Sequence, residues 1–363
     1  MDILDDVDPW TGFEGHEEVL VGYDEATGLR AVIAVHSTVL GPALGGVRMS
    51  TYAHAGDDHA ARAAAYADAL RLSRAMTYKN ALAGLAHGGG KAVIVHDPAN
   101  KPLELLSAFG RMVCSLDGRY VTAGDVGMRV QDMDVIGEAC RWTTGRSPEN
   151  GGVGDSGILT AIGVHAGMRA GAADAFGTAD LAGVAAGVVG AGKVGGRLIG
   201  HLLDDGASVV AMDPDPATRA AVDARHPGQV TWVPDLDSLL ATNPQILSPN
   251  ALGGLVTSSL VPGLASSGVG LVCGGANNQS ATPEVGYLLA QAGIVYTPDF
   301  CVNCGGVIQV AEELVGADVE RARGSVERVF ETTASVLARA RQEGITPVQA
   351  AEREAEARIA AAR

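Results

Sequence analysis

The sequence predicts an α/β protein of two domains, the second built on a doubly wound parallel sheet, and three observations carry that prediction. Beyond residue 156, short apolar runs alternate with helical segments, the pattern of βαβ units. One of these runs, Val184 to Val189, feeds directly into Gly190-Ala191-Gly192-Lys193-Val194-Gly195. Ahead of both, Gly145 to Gly152 concentrates polar residues, Pro and Gly, and marks a boundary with an N-terminal region that has strands and helices of its own. The expected division is 1–147, 148–330 and a set of C-terminal helices, 331–363, returning toward the first domain.

Bulk properties narrow the class. A length of 363 residues accommodates two domains, and an apolar fraction of 47% fills their cores. A net charge of −16 repels nucleic-acid phosphates, and an aromatic content of 4% leaves few surfaces for base stacking. No run reaches the roughly 18 apolar residues of a membrane span. The acidic start, Met1 to Asp6, lacks the basic and apolar blocks of a signal peptide. Five scattered cysteines fit a reducing compartment, so a cytoplasmic protein with no membrane or nucleic-acid partner is expected.

Taken in order, Glu18 to Tyr23 and Leu29 to His36 are β-rich runs joined by Asp24–Gly28, a hairpin. Leu40 to Gly46 reads as a glycine-rich loop, either a plain turn or a place where backbone N–H groups approach a ligand. Asp57 and Asp58 offer an N-cap, and Ala63, Tyr66, Ala67 and Leu70 follow at helical spacing. That helix leads to Lys79. Next comes Gly88-Gly89-Gly90-Lys91, then the buried strand Ala92 to Val95. The chain holds only four lysines, and two of them fall in this window. A lysine beside a core strand can lose its proton and act as a base, as an arginine cannot. Pro102 to Leu116 predicts a helix, and Arg119 to Thr122 a strand ending in Ala123-Gly124-Asp125. Asp125 is either a turn residue or a second proton-transfer group, and spacing alone leaves both open.

In the second half, Ser156 to Ala172 predicts a helix. The glycine motif has its full context: strand, turn, a helix from about Val194 to Asp204, and a second strand, Ser208 to Met212, ending in Asp213. Gly190 permits the tight turn, Gly192 the approach of a pyrophosphate, and Gly195 close helix–strand contact, with the helix N-terminus facing the phosphates. Asp213 suits a ribose hydroxyl and opposes a 2′-phosphate, so NAD is expected over NADP. Further strands are expected at Gln229–Val233, Gln245–Ser248, Gly270–Cys273 and Ile294–Thr297. Their ends carry Asn250, Asn278 and Asn303, polar residues suited to a cofactor crevice. From Val307 the chain is helical, with a break at Gly344–Pro347.

The constellation resembles the glutamate/leucine/phenylalanine/valine dehydrogenases. The carriers are Leu85 to Lys91 with Asp97-Pro98, Leu40 to Gly46, Arg141 to Gly152, and Val302 to Val310. The resemblance spans nearly the whole chain and is closest to the valine and leucine branch. It implies a substrate and oligomerisation domain followed by a Rossmann-like NAD domain, with a cleft between, in a homo-oligomer. The implied activity is reversible NAD-dependent oxidative deamination of a branched-chain L-amino acid, valine favoured, to a 2-oxo acid and ammonia. Lys79 would hold the substrate carboxylate with Asn278 and the backbone at Gly45-Gly46. Lys91 would be the general base, and Asp125 would bind the amino group and shuttle protons. Thr160 and Asn303 would contact the nicotinamide carboxamide. Leu44, Ala123, Val307 and Val310 match side-chain pocket positions, and a pocket without charge suits a small aliphatic group and argues against glutamate.

That assignment is chemically consistent. Burial and a second cation, Lys79, favour a neutral Lys91 amine, while ionic anchoring of carboxylate and amine orients the reacting Cα. Leucine or phenylalanine as substrate is the alternative within the class; a catalytically silent, NAD-binding regulatory subunit is the alternative outside it. Cys301-x-x-Cys304 has no second Cys pair and the nine histidines show no ligand spacing, so no metal is expected and the two cysteines read as small buried side chains. His87 reads as structural.

Overall fold

A computed structural model describes residues 15–363 of the chain, so the acidic start at Met1–Asp6 lies outside the described residues. Two units make up the molecule: unit 1 takes the chain up to Asp155 together with 309–319 and 355–363, and unit 2 takes 156–308 and 320–354. Among the described residues, no helix is long and apolar enough to cross a membrane.

In unit 1, β1 (Glu18–Asp24) and β2 (Leu29–Ser37) form the expected antiparallel hairpin. They are followed by β3 (Ala43–Ser50), α1 (Asp58–Leu82), β4 (Gly88–Val95), α2 (Leu103–Cys114), β5 (Tyr120–Gly124) and α3 (Val130–Ala139). The five strands lie in the order β1-β2-β4-β3-β5, with β3 parallel to both its neighbours. Helix α1 covers one face through Ala65, Tyr66, Ala69 and Leu70 against Val32, Ala34 and Val93. On the other face α2 and α3 bury Leu106, Phe109 and Ile136 against Ile33, Val47 and Ile94. Asp57 caps α1 as expected, its carboxylate accepting from the His59 and Ala60 N–H groups.

Two expectations need correction here. Leu40–Gly46 is a loop only as far as Pro42; Gly45 and Gly46 belong to β3, and Gly88–Gly90 belong to β4. Packing closer than any side chain allows is the reason. A Cβ on Gly45 would sit 1.8 Å from the Gly90 carbonyl oxygen, and one on Gly89 would sit 2.1 Å from the Thr77 nitrogen of α1. Glycine imitates a loop in sequence while serving as strand here. The stripe on α1 is also rotated: Tyr66 and Leu70 are buried, but Ala67 is exposed, and the buried face continues through Ser73, Thr77 and Asn80. Alanines on every side of this helix give no contrast from which to read its face.

Unit 2 opens with α4 (Gly157–Phe176) and continues β6 (Ala185–Val189), α5 (Gly195–Asp204), β7 (Ser208–Met212), α6 (Pro216–Arg225), β8 (Val230–Trp232), α7 (Leu236–Leu240) and β9 (Ile246–Pro249). Then come α8 (Val261–Ser266), β10 (Leu271–Val272), α9 (Glu284–Gln291), β11 (Val295–Tyr296), α10 (Asp299–Val302), α11 (Gly305–Glu313), α12 (Val319–Glu327), α13 (Val329–Glu343) and α14 (Pro347–Ala361), of which α11 beyond Ile308 and α14 beyond Glu354 belong to unit 1. The six strands are all parallel in the order β11-β10-β9-β6-β7-β8, the doubly wound sheet the alternating pattern predicts. Helices α7, α8 and α9 bury Leu239, Leu264 and Leu289 against Leu247 and Val272. On α4, glycines at 163, 167 and 171 let the helix lie directly on Val302 and Leu271. Helix α13 ends at Gly344 in the left-handed region, and α14 starts at Pro347, which is the break the sequence marks.

Candidate active site

Lys91 is on β4 with its side chain only 7% exposed, and Asp125 follows the last residue of β5 with its side chain 20% exposed. Strand β3 runs between these two strands, and its glycines make the meeting possible. A Cβ on Gly46 would lie 2.9 Å from Cβ of Asp125. With that space left open, Lys91 Nζ reaches Asp125 Oδ2 at 2.8 Å. Gly90 serves in the same way on the neighbouring strand, where a Cβ would sit 2.6 Å from the Tyr120 ring. The Tyr120 hydroxyl instead donates to the Gly45 carbonyl at 2.7 Å and fixes the β3 backbone.

A third charge, which sequence reasoning missed, completes the cluster. Arg48, two residues beyond Gly46 and therefore on the same side of β3, donates from Nε to the same Asp125 Oδ2 at 3.2 Å. Its Nη1 donates to Asp68 Oδ2 at 2.8 Å, and that oxygen also accepts from the Tyr52 hydroxyl at 2.7 Å. Arg71 donates to the other Asp68 oxygen at 2.6 Å. Burial by itself pushes the Asp125 carboxyl up, but Lys91 and Arg48 beside it more than offset this and hold it at about 2. Asp68 is likewise held below the usual carboxylate range, its burial outweighed by Tyr52, Arg48 and Arg71. The signal available in sequence was an arginine inside the apolar run Val47-Arg48-Met49.

Lys79 is half-buried in the last turn of α1, between Thr77, which packs on Gly89, and Asn80. Asn80 was also missed; its Nδ2 donates to the Leu44 carbonyl at 3.0 Å and the Gly88 carbonyl at 2.6 Å, tying α1 to β3 and β4 at the glycines. Leu44 and Ala123 are buried on β3 and β5, and Gly46 pairs in register with Ala123. Val310, also in unit 1, lies 4.0 Å from where a Gly145 Cβ would be. The N–H groups of Gly145 and Val153 donate to the two oxygens of Glu313, at 2.7 and 3.0 Å, a further group not anticipated. His87 is tethered by its Nδ1–H, which donates to the Pro42 carbonyl at 3.1 Å.

In unit 2 the glycine motif turns from β6 into α5. Gly190 has φ +91° and a Cβ there would lie 2.7 Å from that of Ala251, while on Gly195 it would lie 1.9 Å from the Gly190 carbonyl oxygen. Those two glycines are required by the chain itself. Gly192 is not: its φ is ordinary and nothing of the protein lies within 4 Å of the missing Cβ. Open space at that glycine fits the approach of an external group, and Lys193, Val194 and the start of α5 stand directly after it. Asp213 directly follows β7; its Oδ2 accepts from the Ala191 N–H at 2.8 Å and its Oδ1 from that of Asp215 at 2.9 Å, so the acid is fixed against the turn.

The later loops are braced by amides. Asn250 donates to Ser248 and accepts from the Gly275 N–H at 2.8 Å, and Asn303 donates to the Gly275 carbonyl at 3.2 Å and to Asn277. Asn278 is exposed at φ +52°, its N–H donating to Asp299. Thr160 donates to the Ser156 carbonyl on α4, next to Gly306, and Val307 is buried one residue on. Cys301 and Cys304 are buried, as expected of small core side chains, and burial pushes the Cys301 thiol up, away from the reactive thiolate.

Residues 16–142 match the family model described as "Glu/Leu/Phe/Val dehydrogenase, dimerisation domain", and residues 213–363 match that of "Glutamate/Leucine/Phenylalanine/Valine dehydrogenase". The chain is 52% identical over 351 residues to the valine dehydrogenase of Streptomyces albus, covering 96% of this chain and 93% of that one. It is 41% identical over 345 residues to the leucine dehydrogenase of Geobacillus stearothermophilus, covering 95% and 90%. Among solved structures, L-tryptophan dehydrogenase from Nostoc punctiforme superposes with a TM-score of 0.82 at 34% identity, covering 97% of this chain and 98% of that one.

Proposed function

Because this chain belongs to the glutamate/leucine/phenylalanine/valine dehydrogenase family, we propose that it oxidises a branched-chain L-amino acid, L-valine above others, to the 2-oxo acid and ammonia. NAD is the proposed oxidant; when bound it accepts the hydride from the amino-acid Cα. The observation that carries the reading is the buried Lys91–Asp125 pair at 2.8 Å beside the glycines of β3. In this reading Lys79 holds the substrate carboxylate, aided by Asn278 and the Gly45-Gly46 backbone. Asp125, anionic when the substrate arrives, binds the substrate ammonium and takes one of its protons before the iminium forms. Lys91 takes a proton from the water that adds to the iminium carbon, and Asp125 returns a proton to the departing amine. Water becomes the carbonyl oxygen of the product and nitrogen leaves as ammonia.

The preference for an aliphatic side chain is supported by Leu44, Ala123 and Val310, none of them charged and all buried. Asp213 supports NAD over NADP, since a carboxylate fixed at the end of β7 repels a 2′-phosphate. Gly190, Gly192, Lys193, Val194 and Gly195 would hold the pyrophosphate, and Thr160, Asn250 and Asn303 would line the nicotinamide end. A homo-oligomer is proposed, assembled through the region that matches a dimerisation domain. The test is Lys91→Ala: turnover of L-valine is expected to fall to background while NADH binding, followed by fluorescence, persists. Wild-type turnover in that variant overturns the assignment.

A further inference from the structure

We propose that Arg48 is a positioning residue of this centre, the fixed cation that keeps Asp125 an anion beside a neutral Lys91 until the substrate ammonium arrives. The proposal deepens the reading above and rests on it for the identity of the reaction. Its basis is one shared atom: Asp125 Oδ2 lies 2.8 Å from Lys91 Nζ and 3.2 Å from Arg48 Nε. A lysine that draws a proton from water must be neutral for part of each cycle. At that moment one of the two cations on Oδ2 has vanished. A carboxylate in so closed a site would then tend to capture the proton itself, since burial favours its neutral form. A guanidinium does not deprotonate in proteins, so Arg48 is the partner whose charge survives the whole cycle.

Arg48 is itself held from behind. Its Nη1 is 2.8 Å from Asp68 Oδ2, and Asp68 is fixed in turn by Tyr52 and Arg71. Charges therefore alternate outward from the reaction centre: Lys91, Asp125, Arg48, Asp68, Arg71. Other titratable groups on elements packed against β4 include Arg62, Arg74, Tyr78 and Lys79 on α1, Arg30 and His36 on β2, and Tyr120 on β5. The His36 ring bonds to Thr77, and burial keeps the Tyr120 phenol protonated.

Without Arg48 the pair would be an anion balanced by Lys91 alone, and would keep its proton to higher pH. A unit charge about 6 Å away in an effective dielectric of about 20 shifts an ionisation by about two pH units; partial exposure of the Arg48 and Asp125 side chains reduces this to about one. The experiment is the pH dependence of kcat/KM for L-valine oxidation with NAD in wild type, Arg48→Gln and Arg48→Lys. The acid limb is expected to move up by about one unit in Arg48→Gln and to stay within about 0.3 unit of wild type in Arg48→Lys. An unmoved limb in folded Arg48→Gln overturns the proposal. Should that variant not fold, Arg48→Lys still decides: a limb displaced upward by a full unit despite the retained charge overturns it. A reading independent of turnover comes from competitive acetylation of Lys91 by acetic anhydride across pH, mapped by peptide mass spectrometry. If wild type oxidises no amino acid, the functional reading fails, while the Lys91 labelling curves still report whether Arg48 governs the pair.

Discussion

Replacing Gly192 with alanine separates cofactor binding from folding in a way the structure makes quantitative. Three glycines of one motif have three different surroundings. At Gly192 the added methyl meets nothing of the protein within 4 Å and the backbone is not in the left-handed region. Stability is therefore expected to change by less than about 1 kcal/mol, with a small gain from the stiffer unfolded chain as the favoured sign. A methyl that fills the path of a pyrophosphate should cost at least one charge-assisted hydrogen bond, about 1.5–3 kcal/mol, or at least about tenfold in Kd for NADH. Gly195→Ala is the control: its Cβ would sit 1.9 Å from the Gly190 carbonyl oxygen, backbone that cannot step aside, so a loss of about 3 kcal/mol is expected. Fluorescence titration with NADH and urea unfolding of both variants read the two quantities. Unchanged NADH affinity in Gly192→Ala, with the fold intact, would refute the placement of the phosphates at this turn.

Other outcomes follow from single side chains. Asp213→Asn keeps an acceptor for the Ala191 N–H but removes the charge, so the kcat/KM ratio of NAD to NADP should fall by about tenfold or more. Asp125→Asn should lower kcat for valine by about 100-fold or more with NADH binding retained. The same substitution tests a stability linkage: the folded carboxyl is held at about 2 against 3.8 unperturbed, so its contribution of about 2 kcal/mol is complete above about pH 5 and is lost as pH falls from about 5 toward 2. Urea midpoints of wild type and Asp125→Asn should therefore converge across that window. Glu313→Ala strands the Gly145 and Val153 N–H groups and should lower stability by about 2 kcal/mol, measured by urea unfolding.

Most of the fold could be read from the sequence because its signals were local. The doubly wound sheet announced itself through β6, β7 and the glycine turn between β6 and α5, where periodicity, turn chemistry and an acid at a strand end agree. Unit 1 was harder in the places that matter most. Gly45, Gly46 and Gly88–Gly90 are strand residues whose lack of a side chain is what the packing uses, and no local rule distinguishes that from a loop. The alanine-rich α1 concealed its buried face for a related reason. Lys91 was legible as a scarce residue against an apolar strand, and Asp125 as an acid at a strand end. Arg48 and Asp68 were not, because their partners lie 77 and 20 residues away from Arg48 and become neighbours only through the order of the strands and the crossing of α1.

The central claim is tested most directly by supplying the wild-type protein with NAD and a panel of L-amino acids and following NADH formation. The account predicts turnover with valine, weaker turnover with leucine and isoleucine, and none above background with glutamate, whose carboxylate is ill-matched to the buried, uncharged Leu44, Ala123 and Val310. Turnover of glutamate ahead of valine, or of no amino acid in the panel, would contradict it.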